Sequence, residues 1–325
     1  MTSATFLRAQ LEQLSSVINA APDDSPSSQL LRASMERRRE QVQREYEPLV
    51  SPVLRVVMRG KPVRGHQVFV DSLSKLIHEL QESVSSIGQA MRGVATDRSA
   101  IPASIRQETA FRLVAVHPGS VELELLGPED ERVTTPTLFE ETEDLRPEPL
   151  VGASVNVLLD LLVIAGRHQS LDDDLIEAVL PLGPRSFAHL KALANAVVDE
   201  EFDVDLGWRS PVMGERVERL DMARSRRLRD ALGRTQLIRE TTNIRGQLGG
   251  ASLFRGAFEL RTIEGDTVRG RVQQDLVPQL QAWFGRWVIA TVETSVSTEA
   301  GTGRERPHYL LSGLASDPEG GSTQP

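Results

Sequence analysis

Two acidic clusters contain the residue types that could hold a divalent cation. They are the run 172–174, which is all aspartate, and the group Asp199, Glu200, Glu201, Asp203 and Asp205. Carboxylate oxygens are the ligands that Ca²⁺ and Mg²⁺ prefer. The run opens a predicted helix, where the helix dipole stabilises negative charge, and the group spans a helix end and a strand edge. Because such charge runs are usually solvated, we interpret both clusters as surface and expect no metal.

Histidines and glycines provide no familiar catalytic arrangement. No two histidines stand three or four residues apart in the set His66, His78, His117, His168, His189 and His308. The chain also lacks the phosphate-loop, dinucleotide-binding, zincin and nucleophile-elbow motifs. The glycine-rich run 246–252 lies between two predicted strands with no helix after it, so it predicts a bulge or tight corner and not a phosphate cradle. We therefore predict no catalytic residue.

Composition narrows the class of protein further. The 325 residues include no cysteine, which excludes disulfides, thiolate catalysis and Cys-ligated metal centres. A net charge of −9 argues against a protein that coats nucleic acid or an anionic membrane over its whole surface. The apolar run 150–166 is shorter than the roughly 20 residues of a membrane span, and Asn156 and Asp160 interrupt it. We expect a cytoplasmic protein with no membrane contact and no cofactor, because no export-signal pattern precedes the first helix.

Residues 1–47 are predicted to form a helical arm. Helical patterns cover about 4–20 and 28–46, separated by a Pro- and Asp-containing turn. One apolar stripe at helical spacing runs along the first helix: Leu7, Leu11, Leu14 and Ile18. A stripe of this kind is buried against something, either the body of the chain or a partner, so these four residues are our candidate partner-binding set.

Residues 48–236 are predicted to form an α+β domain, an antiparallel sheet with packed helices. Alternating or β-branched runs predict strands at 53–58, 111–116, 121–125 and 202–208. Apolar periodicity predicts helices at 71–91, 153–167, 172–180, 184–200 and 215–234. Asp71 is expected to cap the first of these helices. The Pro- and Glu-rich stretch 127–149 predicts a loop.

Residues 237–316 are predicted to form a small five-stranded β-barrel, followed by a disordered tail at 317–325. Strand patterns occupy 238–248, 253–263, 267–272, 287–296 and 308–314, with a helix at 275–284 between the third and fourth. This order of elements resembles the OB-fold, a five-stranded Greek-key barrel. The resemblance is one of topology, because OB-folds share no sequence motif, and it implies a fold more than a function.

The resemblance implies a second candidate site, on the face of the second and third barrel strands. OB-folds use this face to bind oligonucleotides. Strand alternation places four arginines outward there: Arg255, Arg261, Arg269 and Arg271. The aromatic residues of the same strands fall on the inward parity, and the nine arginines and eight acidic residues of 238–316 give a net charge of only +1. A solvated structural face therefore competes with a nucleic-acid interface.

The register of this hairpin is also predictable. Residues directly opposite each other on two strands point to the same face. If Phe258 and Leu260 share a face with Val272, even-numbered residues of one strand therefore lie opposite even-numbered residues of the other, and this pairing requires a three-residue loop or a bulge. We predict the loop at 264–266, which would place Arg261 opposite Arg269, an unfavourable pair of like charges.

The sequence thus favours a non-catalytic interaction protein, a component or adaptor of a multi-subunit assembly whose partner is another protein or a second copy. The alternative is an accessory protein that binds single-stranded nucleic acid on the barrel face. A second alternative is an enzyme whose site is assembled from dispersed residues, with the acidic clusters and His117 as its candidates.

Overall fold

The structure is a computed structural model. It describes residues 3–20, 25–92, 100–117, 121–129, 148–167, 172–210, 214–252, 256–273, 276–298, 303 and 305–318. Most of the predicted loop 127–149 and of the predicted tail lies outside these residues.

The N-terminal arm is a helical hairpin of α1 (Ser3–Ala20) and α2 (Pro26–Val50). The Ser25 hydroxyl accepts a hydrogen bond from the backbone N–H of Ser28 at 3.1 Å and so caps α2. Pro26 follows in the first turn, where its missing N–H leaves no bond unmade. The predicted pair of helices is confirmed.

The α+β domain is built on a five-stranded antiparallel sheet of order β4-β5-β1-β6-β7. Its strands are β1 (Val53–Gly60), β4 (Arg112–His117), β5 (Val121–Leu126), β6 (Phe202–Ser210) and β7 (Gly214–Leu220). Two short strands, β2 (Val63–Arg64) and β3 (Gln67–Val68), form a separate hairpin. Alternation along β1 buries Leu54, Val56 and Met58 under the helices and leaves the intervening residues on the open face of the sheet.

Helices cover one face of this sheet. They are α3 (Val70–Met91), α4 (Ala103–Thr109), α5 (Leu150–Gly166), α6 (Asp172–Val179), α7 (Gly183–Asp199) and α8 (Met222–Gly233), with a 3₁₀ turn at Leu180–Leu182. Residues 82–90 of α3 are buried without a break, because α4, α5 and α7 surround that helix. The apolar run of α5 is buried in the main core. Within the described residues, no helix combines the length and the apolarity needed to cross a bilayer.

The C-terminal unit is a closed five-stranded barrel of order β10-β12-β11-β8-β9. Its strands are β8 (Thr235–Ser252), β9 (Ala257–Thr262), β10 (Thr267–Val272), β11 (Trp287–Thr298) and β12 (Glu305–Ser316). The barrel is mixed, because β10 runs parallel to β12 whereas the other pairs are antiparallel. A Cβ on Gly270 would lie 2.1 Å from the carbonyl oxygen of Tyr309, so only glycine lets these two strands approach so closely. The predicted fold class, an antiparallel sheet with packed helices followed by a small barrel, is confirmed.

Three predicted elements need correction. Residues 215–220, predicted as the start of a helix, belong to β7, because pairing with β6 satisfies their backbone, and α8 begins only at Met222. Asp71 lies in the first turn of α3, but the helix begins at Val70 and Phe69 is its N-cap residue. The predicted barrel helix is reduced to a 3₁₀ turn at Val277–Gln279 and one turn of α9 (Leu280–Trp283).

The glycine-rich run behaves as predicted. It is part of β8, and the pairing with β9 shifts register between Leu248 and Gly250, which is a bulge.

The β9–β10 hairpin keeps the predicted parity but not the predicted register. Arg269 lies opposite Glu259 and Arg261 opposite Thr267, so the expected Arg261–Arg269 pair is wrong. The three-residue loop is 263–265, one residue earlier than predicted, and the Thr262 N–H donates to the Asp266 carbonyl at 2.8 Å. The loop ends at residue 265 because its last position requires a positive φ. Gly265 has a φ of 93°, which glycine adopts at no steric cost.

Candidate functional site

An open groove of about 540 Å³ separates the barrel from the α+β domain. Strands β8 to β10 form one wall, including Glu259, Arg269 and Arg271, and Glu177 of α6 contributes to the other. The 3₁₀ turn at Leu180–Leu182 contacts β10 beside it. The groove is the part of the barrel face where the predicted arginines meet the rest of the chain.

Carboxylates of this chain accompany two of the predicted nucleic-acid-binding arginines. The Nε of Arg269 lies 2.9 Å from Glu259 Oε1, and the Nε of Arg271 lies 3.7 Å from Glu177 Oε2. Arg261 is exposed and, within the described part of the chain, has no carboxylate partner. Arg255 lies outside the described residues. The local charge of this face is therefore close to balanced.

The barrel face also lacks exposed rings in its described part. Phe258 points inward and is 2% exposed, and Leu260 and Val272 are buried with it. The outward positions of β9 and β10 hold alanine, threonine, glutamate and arginine. Because stacking on aromatic side chains supplies about 1–3 kcal/mol per base in single-strand binding, the face has cations but not the main source of affinity.

The predicted partner-binding stripe on α1 faces its neighbour in the hairpin. Leu7 and Leu11 pack against Tyr46 and Val50 of α2 in a cluster of their own, outside the main core. Leu14 is half-buried, and Ile18 is only 4% exposed. The stripe therefore holds the hairpin together, and a partner that used it would have to part the two helices.

Exposed apolar side chains lie at both ends of the hairpin: Phe6 and Leu49 are 58% and 39% exposed near its base, and three more are exposed at the other end. The helices run antiparallel, so the end of α1 and the start of α2 lie at the same end. Val17 is 40% exposed there, Leu30 74% and Leu31 54%. We call these three residues the hairpin tip.

Among the described residues, a long-range hydrogen bond joins the hairpin to the body. The hydroxyl of Tyr46 donates to Glu129 Oε1 at 2.8 Å, across 83 residues of sequence. Burial of the phenol, followed by its hydrogen bond to the Glu129 carboxylate, raises the pKa of Tyr46 to about 12. This contact fixes the base of the hairpin and leaves the tip at the far end.

The larger acidic cluster is neutralised by cations on neighbouring elements. Four of its carboxylates lie within 2.6 Å of a basic nitrogen: Glu200 of Lys75, Glu201 of Lys61, Asp203 of Arg219 and Asp205 of Arg59. The hydrogen bond from Lys75, followed by that from Ser72, lowers the pKa of Glu200. The aspartate run opens α6, as predicted. These partners support the interpretation of the cluster as surface.

The sequence analysis did not identify three glutamates that the tertiary structure places beside candidate site residues. Glu177 of α6 lies beside Arg271 of β10, and no spacing in the sequence signals that contact. Glu122 and Glu124 are brought beside His117 by the β4–β5 register. The sequence did contain a signal for the group of His117, Glu122 and Glu124, because the predicted hairpin has glutamates at alternating positions of its second strand.

Comparison of the chain with family models, with curated proteins and with solved structures gave no match. The functional argument therefore depends on the residues themselves.

Proposed function

We propose that this protein is a non-catalytic interaction protein, a component or adaptor of a multi-subunit assembly, and that it docks through the hairpin tip. The observation that carries the proposal is the exposure of Val17, Leu30 and Leu31 at one end of a hairpin whose own apolar cluster is separate from the main core. A cytoplasmic location is part of the same proposal, and the absence of cysteine supports it.

Burial of the tip would be favourable because removing apolar surface from water contributes about 25 cal/mol per Å². Single exposed apolar residues are common on protein surfaces, whereas apolar side chains exposed together are typical of interaction sites. The flank of α2 is polar by contrast, with side-chain bonds from Arg38 to Gln41 and from Gln43 to Glu47. A partner would therefore contact the tip and leave the flank solvated.

The proposal is tested by the double substitution Leu30→Ser and Leu31→Ser. Ile263→Ser with Phe284→Ser is the matched control, because these barrel residues are 60% and 58% exposed. Light scattering on the purified chain measures self-association, and purification from cells that make the protein naturally identifies other partners. We expect the tip variant, but not the control, to lose the dimer mass or the co-purifying protein. A wild type that is monomeric and co-purifies with the same proteins as the tip variant would contradict the proposal.

A second candidate function is binding of single-stranded nucleic acid on the barrel face. The closed five-stranded barrel, with β10 parallel to β12, is compatible with a small barrel of the OB kind, and Arg261 is an exposed cation without a carboxylate partner among the described residues. The pairs Arg269–Glu259 and Arg271–Glu177 weigh against it, since each carboxylate competes with phosphate.

These pairs also sharpen its test. In a titration with single-stranded DNA at several salt concentrations, Arg261→Ala should weaken binding and reduce the salt slope by about one unit. Glu259→Gln should strengthen binding, because it releases Arg269. Absence of binding by the wild type at about 50 mM salt, where phosphate contacts are strong, would remove this candidate.

A further inference from the structure

The open face of the sheet carries a histidine and two glutamates in one group. His117 ends β4 and lies opposite Glu122 of β5, and Glu124 follows two residues later on the same face. One ligand atom from each of the three side chains lies within 4.8 Å of the other two. The residue opposite Glu124 is Ala115, whose side chain is small.

The separation between the imidazole of His117 and the carboxylate of Glu124 suits a single ion. His117 Nε2 lies 3.3 Å from Glu124 Oε1. Two ligands of a tetrahedral ion, each about 2.0–2.2 Å from the metal, lie about 3.3–3.5 Å from each other. The imidazole and carboxylate are thus already spaced as two ligands of one ion, on strands that fix their backbone positions.

Arg55 supports the third ligand. It extends from β1 and forms an ion pair with Glu122 Oε1, which leaves the second oxygen of that carboxylate available. Hydrogen-bonded partners behind a ligand orient it and are a regular feature of metal sites. The Glu122 side chain is 17% exposed, whereas that of His117 is 45% exposed, so the group is anchored at one side and open to water at the other.

We propose that His117, Glu122 and Glu124 bind a divalent first-row transition metal such as Zn²⁺, with water in the remaining position. The imidazole decides the class of ion, because imidazole suits Zn²⁺ and its neighbours whereas Mg²⁺ and Ca²⁺ prefer oxygen alone. In this group only Glu122 is paired with an arginine among the described residues, whereas four carboxylates of the larger acidic cluster each have a lysine or arginine partner. The site is independent of the proposed docking role, and its loss would leave the hairpin tip intact.

The test is a calorimetric titration of chelator-treated full-length protein with Zn²⁺, repeated with Co²⁺ to record its visible absorption bands. The wild type should bind one ion, and excess Mg²⁺ should not displace it. His117→Ala and Glu124→Gln should each weaken Zn²⁺ binding by at least about tenfold, the lower end of what loss of a supporting residue costs at metal sites.

His66→Ala and Glu264→Gln are the matched controls, because they remove an exposed imidazole and an exposed carboxylate elsewhere on the surface. Both controls should bind Zn²⁺ as the wild type does, and circular dichroism should show all four variants folded. The proposal is overturned if the wild type gives no heat of binding and no Co²⁺ bands. It is equally overturned if His117→Ala binds Zn²⁺ as tightly as the wild type, or if a control weakens binding as much as the two site variants do.

Discussion

The ion pair between Glu82 of α3 and Arg106 of α4 makes a quantitative prediction about the core of the α+β domain. Arg106 Nη1 and Nη2 donate to Glu82 Oε1 and Oε2 at 2.6 and 3.1 Å. The Glu82 side chain is 10% exposed, whereas that of Arg106 is 46% exposed. A double-mutant cycle of Glu82→Gln and Arg106→Gln isolates the energy of this pair.

The magnitude follows from the geometry. A hydrogen bond to a charged group contributes about 1.5–3 kcal/mol. Gln at position 82 keeps one acceptor, and the half-exposed Arg106 regains water, so we expect a coupling of about 1–2 kcal/mol. Arg92 and Glu108 are the matched control, because they join the same two helices but have side chains 55% and 42% exposed. Exposed pairs contribute about 0–1 kcal/mol, so the control cycle should give less.

The assay is urea denaturation followed by circular dichroism, at neutral and acid pH. The hydrogen bonds from Arg106 lower the pKa of Glu82. Its contribution is therefore complete above the unfolded pKa, about 4.3 for glutamate, and is lost as the pH falls through the lower folded pKa. Wild type and Glu82→Gln should converge in free energy of unfolding as the solution is acidified. A coupling near zero, or a difference that persists unchanged in acid, would refute the reasoning.

Three further results follow from particular contacts. Gly270→Ala should destabilise the barrel in thermal denaturation, since its Cβ would lie 2.1 Å from a backbone carbonyl, whereas Gly233→Ala, with open space around it, should be neutral or stabilising. Tyr46→Phe should lower stability by about 0.5–1.5 kcal/mol and remove the ultraviolet titration near pH 12. Because the pKa of Tyr46 is raised in the folded state, the hydroxyl stabilises the fold below about pH 10, and this stabilisation is lost as the pH rises toward 12. Equal free energies of unfolding for wild type and variant at neutral pH would contradict this. Chelator treatment of protein purified without added metal should leave the melting temperature within about a degree, since an ion stabilises a fold only when its concentration is comparable to or above its dissociation constant; a fall of several degrees would show that an ion already bound stabilises the fold.

Local patterns predicted most elements of the fold because their signals are short-range. The apolar positions of α3 recur at helical spacing, and the alternation in β5 and β6 reports one buried face. β7 was missed because its residues 215–219 are charged or exposed, and only pairing with β6 makes them a strand. Tertiary context overrode the local preference there.

The candidate sites depended on information that local patterns do not contain. Strand parity correctly placed Arg261, Arg269 and Arg271 outward. Which residue lies beside each arginine depends on the hairpin loop, which begins one residue earlier than predicted, and on Glu177 of α6, which is distant in sequence. The metal group requires the exact β4–β5 register, which includes a bulge between Leu113 and Ala115. The stripe on α1 was recognisable from its spacing, whereas its partner helix was not.

Site-specific photo-crosslinking from the hairpin tip tests the proposed docking role most directly. A photoreactive amino acid at position 30 is compared with one at position 263, since Leu30 and Ile263 are both well exposed, at 74% and 60%. In cells that make the protein naturally, position 30 should crosslink to one discrete protein, either a second copy or another chain, and position 263 should not. Equal crosslinking from the two positions, or none from position 30, would contradict docking through the hairpin tip.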